Sequence, residues 1–395
     1  MSFDITTIGE HNYPQLLDLL EICFPHTRRE YFEEHQRLDP SYRFTQGHAL
    51  SDGDQIVSYL QVFHREMESG PTSIPYAGIG DVATHPHYRK RGLSGKLLDA
   101  SIRYMDSIAL PLSMLFTRLH SHYAPYGWVQ IPEYVFQIDL PTRIPKEPDG
   151  FIVKPFEETD LTQLHQVYRA EMAECIGPEV RSLSYMAGQR DWLKHKGKVR
   201  WEVFSINGYP TGYVRTRVEG NELHVLDLCA GTDALDRLTI ARILRHAADS
   251  ECQRASIQVA PTGRFAKNLA NTVPIKMRLD TARMMRLNSL KGLLAYMRPV
   301  IFSRLREHLP VSTFALEVAG EMVRIEISRD SAILSTPTGT EPLASPPVKL
   351  FLSLLMGQPE SHQVLSDIKG DREAITALQL LFPQRENITW RADRF

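Results

Sequence analysis

Apolar positions along the first 140 residues switch between two periods. From Tyr13 to Phe24, Leu16, Leu17, Leu20 and Phe24 recur every three or four residues, which predicts a helix with one core-facing stripe. Gln55 to Phe63 (QIVSYLQVF) predicts a strand, and Tyr76 to Thr84 a second one ending in Val82, Ala83 and Thr84. Leu93, Leu97, Leu98 and Ile102 then share one face of a helix from Leu93 to Ile108. Leu112 to Phe116 and Tyr134 to Leu140 read as a third and a fourth strand of this segment.

The same order restarts at Phe151 with a strand (FIVKPF) and a helix around Leu161 to Ile176. A meander follows over Trp201 to Ile206, Gly212 to Val218 and Leu223 to Cys229, then an amphipathic helix from Ala234 to Ala248. The two segments share this order without a visible sequence match. Beyond about Asp280 the pattern predicts a helix from Leu287 to Met297 and strands at Thr313 to Val318, Met322 to Ser328 and Ser331 to Ser335. Helices at Val348 to Met356 and Asp371 to Leu381 close the chain. Pro141 to Gly150, with three prolines and a glycine, reads as an interdomain linker, and Thr336 to Pro347 as a loop.

The length of 395 residues suggests two or three domains. Lys plus Arg number 45 and Asp plus Glu 47, a net charge of −2. That balance argues against a dedicated nucleic-acid binder, which carries a basic excess. The composition also excludes a mainly disordered chain, a collagen and a disulfide scaffold. Cys23, Cys175, Cys229 and Cys252 form no CxxC pair, so no structural zinc site and no other metal is expected. The first residues lack a basic stretch followed by an apolar one, so no signal peptide is expected. No apolar run approaches the roughly 18 residues of a membrane span. A reducing, cytoplasmic setting is the expectation.

The strongest local signal is Asp81-Val-Ala-Thr-His-Pro86-His-Tyr-Arg89-Lys-Arg-Gly92-Leu-Ser94-Gly95-Lys-Leu-Leu98. A strand runs to Thr84, Pro86 breaks it, and a basic, glycine-containing loop opens an amphipathic helix. Backbone N–H groups at a helix start have no intrahelical partner, and with the positive end of the macrodipole they make an anion site. Gly92 and Gly95 let the backbone come close to a ligand, and Lys90 and Arg91 add positive charge. The ligand that suits this arrangement is a pyrophosphate. The loop lacks the GK[ST] ending of a Walker loop and the GxGxxG fingerprint.

The run Arg89-Lys90-Arg91-Gly92-Leu93-Ser94 is similar to the acetyl-CoA loop of the GNAT acetyltransferases, R/Q-x-x-G-x-G/A, with Ser94 departing from the last Gly/Ala while remaining small. The resemblance narrows at His120-Ser-His-Tyr123-Ala-Pro-Tyr126-Gly127-Trp128, which resembles a Y-G-R-F-G-Y segment of the Eis-like (enhanced intracellular survival) branch. Ala124 and Pro125 depart from it. Trp390, the terminal Phe395 and Asp280-Thr-Ala-Arg283 also fit that branch. The resemblance implies an α+β chain of two tandem GNAT-like mixed-sheet domains, over 1–145 and 146–285, and a sterol-carrier-protein-like α+β domain over 286–395. It implies acetyl-CoA as co-substrate, held by Val82, Ala83, Thr84, Arg89, Lys90, Arg91, Gly92, Leu93, Ser94, Gly95, Arg118 and Leu119. Tyr123 is the counterpart of a general acid for the leaving thiolate. The carboxylate of Phe395 is the counterpart of a general base for the attacking amine. The reaction is direct attack in a ternary complex on a primary amine of a small molecule or peptide, aminoglycosides and lysine side chains included. A homo-oligomer, trimer or hexamer, is also implied.

Several residues leave the reading open. The second segment's junction, Cys229-Ala-Gly231-Thr-Asp-Ala-Leu-Asp236-Arg, carries two aspartates that oppose a pyrophosphate, so that domain is expected to have lost its cofactor. Glu30, Glu33 and Glu34 could line a pocket for cations or form a solvated helix face. Asp81 could face substrate or pair with an arginine. Cys23 reads as a packed thiol, and the histidine pairs His85/His87 and His120/His122 as loop residues. Arg394 and Arg118 would repel a polyamine if they faced the pocket, which weakens the aminoglycoside expectation. Alternatives to the enzyme are an acyl-CoA-binding sensor or scaffold without turnover, and a lipid binder using the last domain and its apolar helix Val348 to Met356.

Overall fold

The computed structural model describes residues 5–308, 312–365 and 368–395. Among them the strands form three sheets. The first has eight strands in the order Ile5–Thr7, Gly47–Asp52, Gln55–Ser69, Ser73–Thr84, Leu112–Phe116, Arg283–Leu287 and Val129–Gln130, with Ile176–Glu179 added beside the far end of Gln55–Ser69. The second has seven, in the order Lys276–Asp280, Glu133–Asp139, Arg254–Gln258, Glu222–Ala230, Tyr209–Glu219, Val199–Ile206 and Ile152–Pro155. The third has five, Ala332–Ser335, Glu321–Ile327, Ser312–Val318, Leu343–Ser345 and Lys369–Gly370. The fold is α+β with mixed sheets, two of them built in the same order along the chain.

The sheets do not divide at residues 145 and 285. The strand Glu133–Asp139, expected as the fourth of the first segment, pairs with Arg254–Gln258 and Lys276–Asp280 in the second sheet. In return Arg283–Leu287 enters the first sheet between Leu112–Phe116 and Val129–Gln130. Alternation cannot reveal such an exchange, because a strand's pattern says which face is buried and not which neighbour it pairs with. The helix around residue 161 also ends early, at Met172, and Ile176–Glu179 is a strand.

The first sheet is backed by the helix Leu93–Ser107, which buries Leu93, Leu97, Leu98 and Met105 against Val57, Leu60, Val62, Ala77 and Ile79. Its other face takes the helices Tyr13–Cys23 and Arg29–Leu38. The helix Asp233–Asp249 plays the backing role in the second sheet. The third region shares one core with the first sheet. The helix Leu290–Leu305 packs Leu293, Leu294, Met297 and Ile301 with Met67, Ile74, Tyr76 and Met114 on one side and with Phe314, Leu316 and Ile325 on the other. Its start is fixed by the Glu321 carboxylate, which accepts the N–H groups of Leu290 (2.6 Å) and Lys291 (3.0 Å). The last region is therefore fastened to the first sheet, and its chain end is aimed back at it. No helix among the described residues is long and apolar enough to cross a membrane.

Candidate active site

The strand Ser73–Thr84 builds the site. It pairs in parallel with Leu112–Phe116 only at Tyr76 to Gly78, and beyond Gly78 the two strands part. On its other side the register with Gln55–Ser69 steps from Gln61–Gly80 to Tyr59–Ala83, so Asp81 and Val82 stand opposite Leu60 alone. This is a β-bulge, a device that re-aims side chains beside active sites. Asp81 has φ 51°, a left-handed conformation that a non-glycine residue holds only when its surroundings impose it. Past the bulge, Ala83 is buried, its carbonyl accepts from the Ser58 hydroxyl (3.0 Å), and the Thr84 and Ser58 hydroxyls share a bond (2.8 Å).

The loop that follows has Lys90 at φ 62° and Gly92 at φ 75°. A Cβ on Gly92 would meet nothing within 4 Å, so the backbone angle and not space asks for glycine there. Lys96 is the first residue whose N–H closes onto the helix, at Gly92 O (3.1 Å). The N–H groups of Leu93, Ser94 and Gly95 are left for a ligand at the positive pole of the helix. Gly95 also has a reason to lack a side chain. A Cβ there would lie 2.2 Å from the Tyr126 hydroxyl, which rests on this first turn. Lys90 and Arg91 are exposed, while Leu93 turns into the core. Arg89 bends back, donating to Thr84 O (3.1 Å), and Arg91 donates to His87 O (3.3 Å) over the Tyr88 ring.

Tyr123 ends the short helix His120–Tyr123 and is 7% exposed. Its ring meets Trp128 edge-on at 6.3 Å, and Gly127 at φ 92° makes the turn between them. The exchanged strand Arg283–Leu287 supports this turn, since Arg286 Nε donates to Tyr126 O (3.0 Å) and its guanidinium lies over Trp128. Burial pushes the Tyr123 hydroxyl up to about 12, and no hydrogen-bond partner for it occurs among the described residues. It is thus a protonated donor facing no internal acceptor.

The chain end reaches the same strand. The Phe395 ring lies on Gly78, where a Cβ would come within 2.6 Å of it, and between the rings of Phe63 and Phe116, each at 5.7 Å. Its carboxyl carbon stands 3.4 Å from where Gly80 would carry a Cβ, one residue before the bulge. A buried ionic clamp holds the tail there. Asp393 accepts from Arg181 at 2.9 and 2.8 Å and from Gln189 at 2.9 Å, while Arg181 also binds Asp227 at 2.6 Å. Asp227 in turn binds Arg215. Trp390 fills the second core, and the wholly buried Arg283 donates to Thr389 (2.8 Å).

The second sheet's counterpart of the cofactor loop is filled by protein groups. Thr232 caps the helix by accepting from Leu235 N–H (3.2 Å), and Asp233 and Asp236 occupy its first turn. The Glu171 carboxylate, raised to about 7 by burial, accepts from the Ala230 N–H (3.1 Å) at the end of the strand.

The structure therefore puts Val82, Ala83, Thr84 and the seat of Phe395 on one strand, leads that strand into the loop to Gly95, and packs Tyr123 in the same core as Ile79 and Leu93. Two further sequence-derived candidates lie just before the Tyr123 segment: Arg118 binds Asp280 (2.9 Å) and Leu119 is 68% exposed. The repulsion expected from Arg394 is not what its setting provides. Arg394 binds Glu133 (2.8 Å) and Gln258 (3.0 Å), approaches Asp280 (3.6 Å) and lies over the Phe116 ring, so it fastens the terminus. Among the described residues Asp81 pairs with no arginine. It accepts from Gln36 (3.3 Å), and burial raises its pKa. Glu33 binds Arg29 (3.3 Å), and Glu34 takes Lys194 (3.2 Å) and His195 (3.0 Å). Cys23 is half-buried, and its thiol is raised by burial against the opposing pull of Arg89. Sequence reading missed the Arg181–Asp393 clamp and the seat at Gly78 and Gly80. The seat had a signal, two glycines alternating within an apolar strand, which marks a close approach. The clamp had none.

Comparison with known proteins bears on the fold. A family profile for the acetyltransferase (GNAT) domain matches residues 4–131. No match was found among curated protein sequences. Over the full length of both chains, the fold is similar to a GCN5-related N-acetyltransferase from Anabaena variabilis (16% identity, TM-score 0.75). It is also similar to a probable N-acyltransferase from Enterococcus faecalis (17%, 0.75) and to Eis1 from Mycobacterium abscessus (14%, 0.69), again with full coverage of both chains.

Proposed function

We propose that this chain, a GNAT acyltransferase with its acetyltransferase domain at residues 4–131, moves the acetyl group of acetyl-CoA to a primary amine by direct attack in a ternary complex. The observation that carries the reading is the terminal carboxyl of Phe395 seated over Gly80, beside the bulge and the parted strands. The unpaired N–H groups of Leu93 to Gly95, with Lys90 and Arg91, suit the pyrophosphate. The strand end at Val82 to Thr84 suits the pantetheine arm, although Arg89 already occupies the Thr84 carbonyl.

In this mechanism the Phe395 carboxylate takes a proton from the amine, directly or through water. The amine nitrogen bonds to the thioester carbon, a strand N–H near Ala83 steadies the oxyanion, and the C–S bond breaks. Tyr123 gives its proton to the departing thiolate, so protons and charges balance. Strand exchange supports this division of labour: Arg286 sets the Tyr123 turn, and the third region serves as the platform that presents Phe395. The protein-filled junction of the second sheet supports one acetyl-CoA per chain. A cytoplasmic homo-oligomer completes the proposal.

Thiol release from acetyl-CoA, followed against a panel of amines with native and C-terminally extended protein, tests it. Turnover with the native protein that is lost with the extension is expected. Equal turnover with a long C-terminal extension would remove the terminal base. Acetyl-CoA binding without turnover on any amine would favour a sensor.

A further inference from the structure

The second sheet has a gap of its own between parallel strands. Glu222–Ala230 and Arg254–Gln258 pair only at Glu222 to His224, and beyond His224 they part. Leu228 on one side, with Val259 and Ala260 on the other, lines a cavity of about 250 Å³ there. The helix Leu161–Met172 brings Glu171 and Met172 to it, and the helix Arg264–Thr272 brings Arg264 and Phe265. The chain's tail completes the wall with Glu386, Ile388 and Trp390. Ile176 fixes that stretch of tail, since its N–H donates to Glu386 O (2.9 Å) and its carbonyl accepts from Ile388 N–H (3.1 Å).

Acid exceeds base around this cavity. Glu171, the exposed Glu174 and the exposed Glu386 line it, and among the described residues Arg264 is the one cation in the lining. That guanidinium is spread over Asp236 (3.1 Å), Glu171 (3.7 Å) and the Ala230 carbonyl. The Cys175 thiol, also in the lining, is pushed up to about 12 by burial and then by Glu386 and Glu171, with Arg385 opposing them. Two polar atoms of the wall are under-used. Glu171 Oε1 accepts the Ala230 N–H (3.1 Å), whereas Oε2 is shut from solvent and takes no N–H or O–H donor; the carboxylate's other donor is the Cys229 thiol, a weak one. Trp390 is 1% exposed, and its indole N–H has no acceptor among the described residues. Buried polar atoms of this kind are normally satisfied.

We infer that this cavity is a second ligand site, apart from the acetyl-transfer centre, and that it takes a small organic ammonium with an apolar body. The ammonium donates to Glu171 Oε2 within the field of Glu174 and Glu386, and the body packs on Met172, Leu228, Phe265 and Ile388. The volume lies below the ~300–1,000 Å³ of pockets for drug-sized ligands, so the occupant is small. An acyl-CoA would set its pyrophosphate against Asp233 and Asp236 in the first turn of the neighbouring helix. A metal ion would need three or more ligating side chains together, and no such group occurs among the described residues.

Calorimetric binding to the full chain tests this at pH 8, above the value of about 7 to which burial raises Glu171, so that its carboxylate is mostly ionised. The probe is N,N-dimethyltyramine, whose tertiary nitrogen is protonated and forms no stable amide, and whose phenol oxygen offers Trp390 an acceptor. Tyrosol is its neutral counterpart and 3-(4-hydroxyphenyl)propanoate its anionic one. The ammonium should bind about tenfold or more tighter than either, the scale of one charge-assisted contact. Glu171→Gln, which keeps an acceptor for the Ala230 N–H, should bring the ammonium to the level of tyrosol. Glu386→Gln, an exposed change that leaves the core alone, should weaken it by about two- to fivefold. Glu326→Gln, on the third sheet, should leave it intact. Equal affinity for the three compounds, no binding of the ammonium, or ammonium binding that survives both Glu171→Gln and Glu386→Gln unchanged would overturn the inference. None of these measurements uses turnover, so this site and the acetyl-transfer reading stand or fall separately.

Discussion

Replacing Gly78 by alanine tests the seat of the chain terminus with a single methyl group. The added Cβ would stand 2.6 Å from two ring carbons of Phe395, whereas ordinary contact begins at 3.4 Å. Something must give by at least about 0.8 Å. The strand cannot give, because Gly78 pairs with Phe63 on one side and with Met114 on the other. The Phe395 ring therefore moves and carries its carboxyl group with it. A misplacement of about 1 Å costs on the order of 10²-fold when a reacting group must be held in line. The expected result is a fall of about 10² in kcat, read by thiol release, with acetyl-CoA affinity by calorimetry little changed. Stability should fall by only about 1–3 kcal/mol, the usual range for overpacking, which thermal melting will show. The double variant with Phe395 deleted should be no slower than the deletion alone, since both remove one interaction. A Gly78→Ala enzyme within threefold of wild type, or an additive double variant, would refute the placement of the base at Gly80.

Tyr123→Phe should lower kcat by about 10²–10⁴, the range for a general acid, at unchanged acetyl-CoA affinity. With its hydroxyl pushed up to about 12, Tyr123 stays protonated through pH 10; a descending limb near pH 9–10 that vanishes in the variant would contradict this. Glu179 is raised to about 8 by burial, which outweighs Arg65, so the folded state holds its proton more tightly than the unfolded chain does. Stability from this group is full below about pH 4.5 and declines as pH rises to about 8. Glu179→Gln, which can still accept from Tyr76 (2.6 Å), should flatten that decline, and parallel melting curves across pH 5–8 would count against it. Asp393→Ala leaves Arg181 buried with one acid fewer. It should cost about 3–5 kcal/mol and free the tail for carboxypeptidase, so a tail as resistant as wild type would show that the clamp does not hold it.

Much of this was already legible in the chain, because the features concerned are local. The strand, the Pro86 break and the glycine-bearing helix start declare themselves, since anion binding at a helix N-terminus needs only a contiguous run of backbone. The helical stripe from Leu93 and the strand alternation gave the two backed sheets for the same reason. The Tyr123 segment and the terminal Phe395 were found through resemblance, and their residue types say nothing of where they point.

Tertiary structure decided the rest. Which strand completes which sheet depends on pairing energy between segments about 150 residues apart, so the exchange of Glu133–Asp139 and Arg283–Leu287 left no mark on either segment's pattern. Arg394 read as a free cation near a pocket until Glu133 and the Phe116 ring were placed beside it. Asp393 read as one more acidic residue, and only the folding together of Arg181, Gln189 and Asp227 makes it the anchor of the chain end. A charge acts through what lies within a few ångströms of it, and the sequence orders residues along the chain without giving those distances.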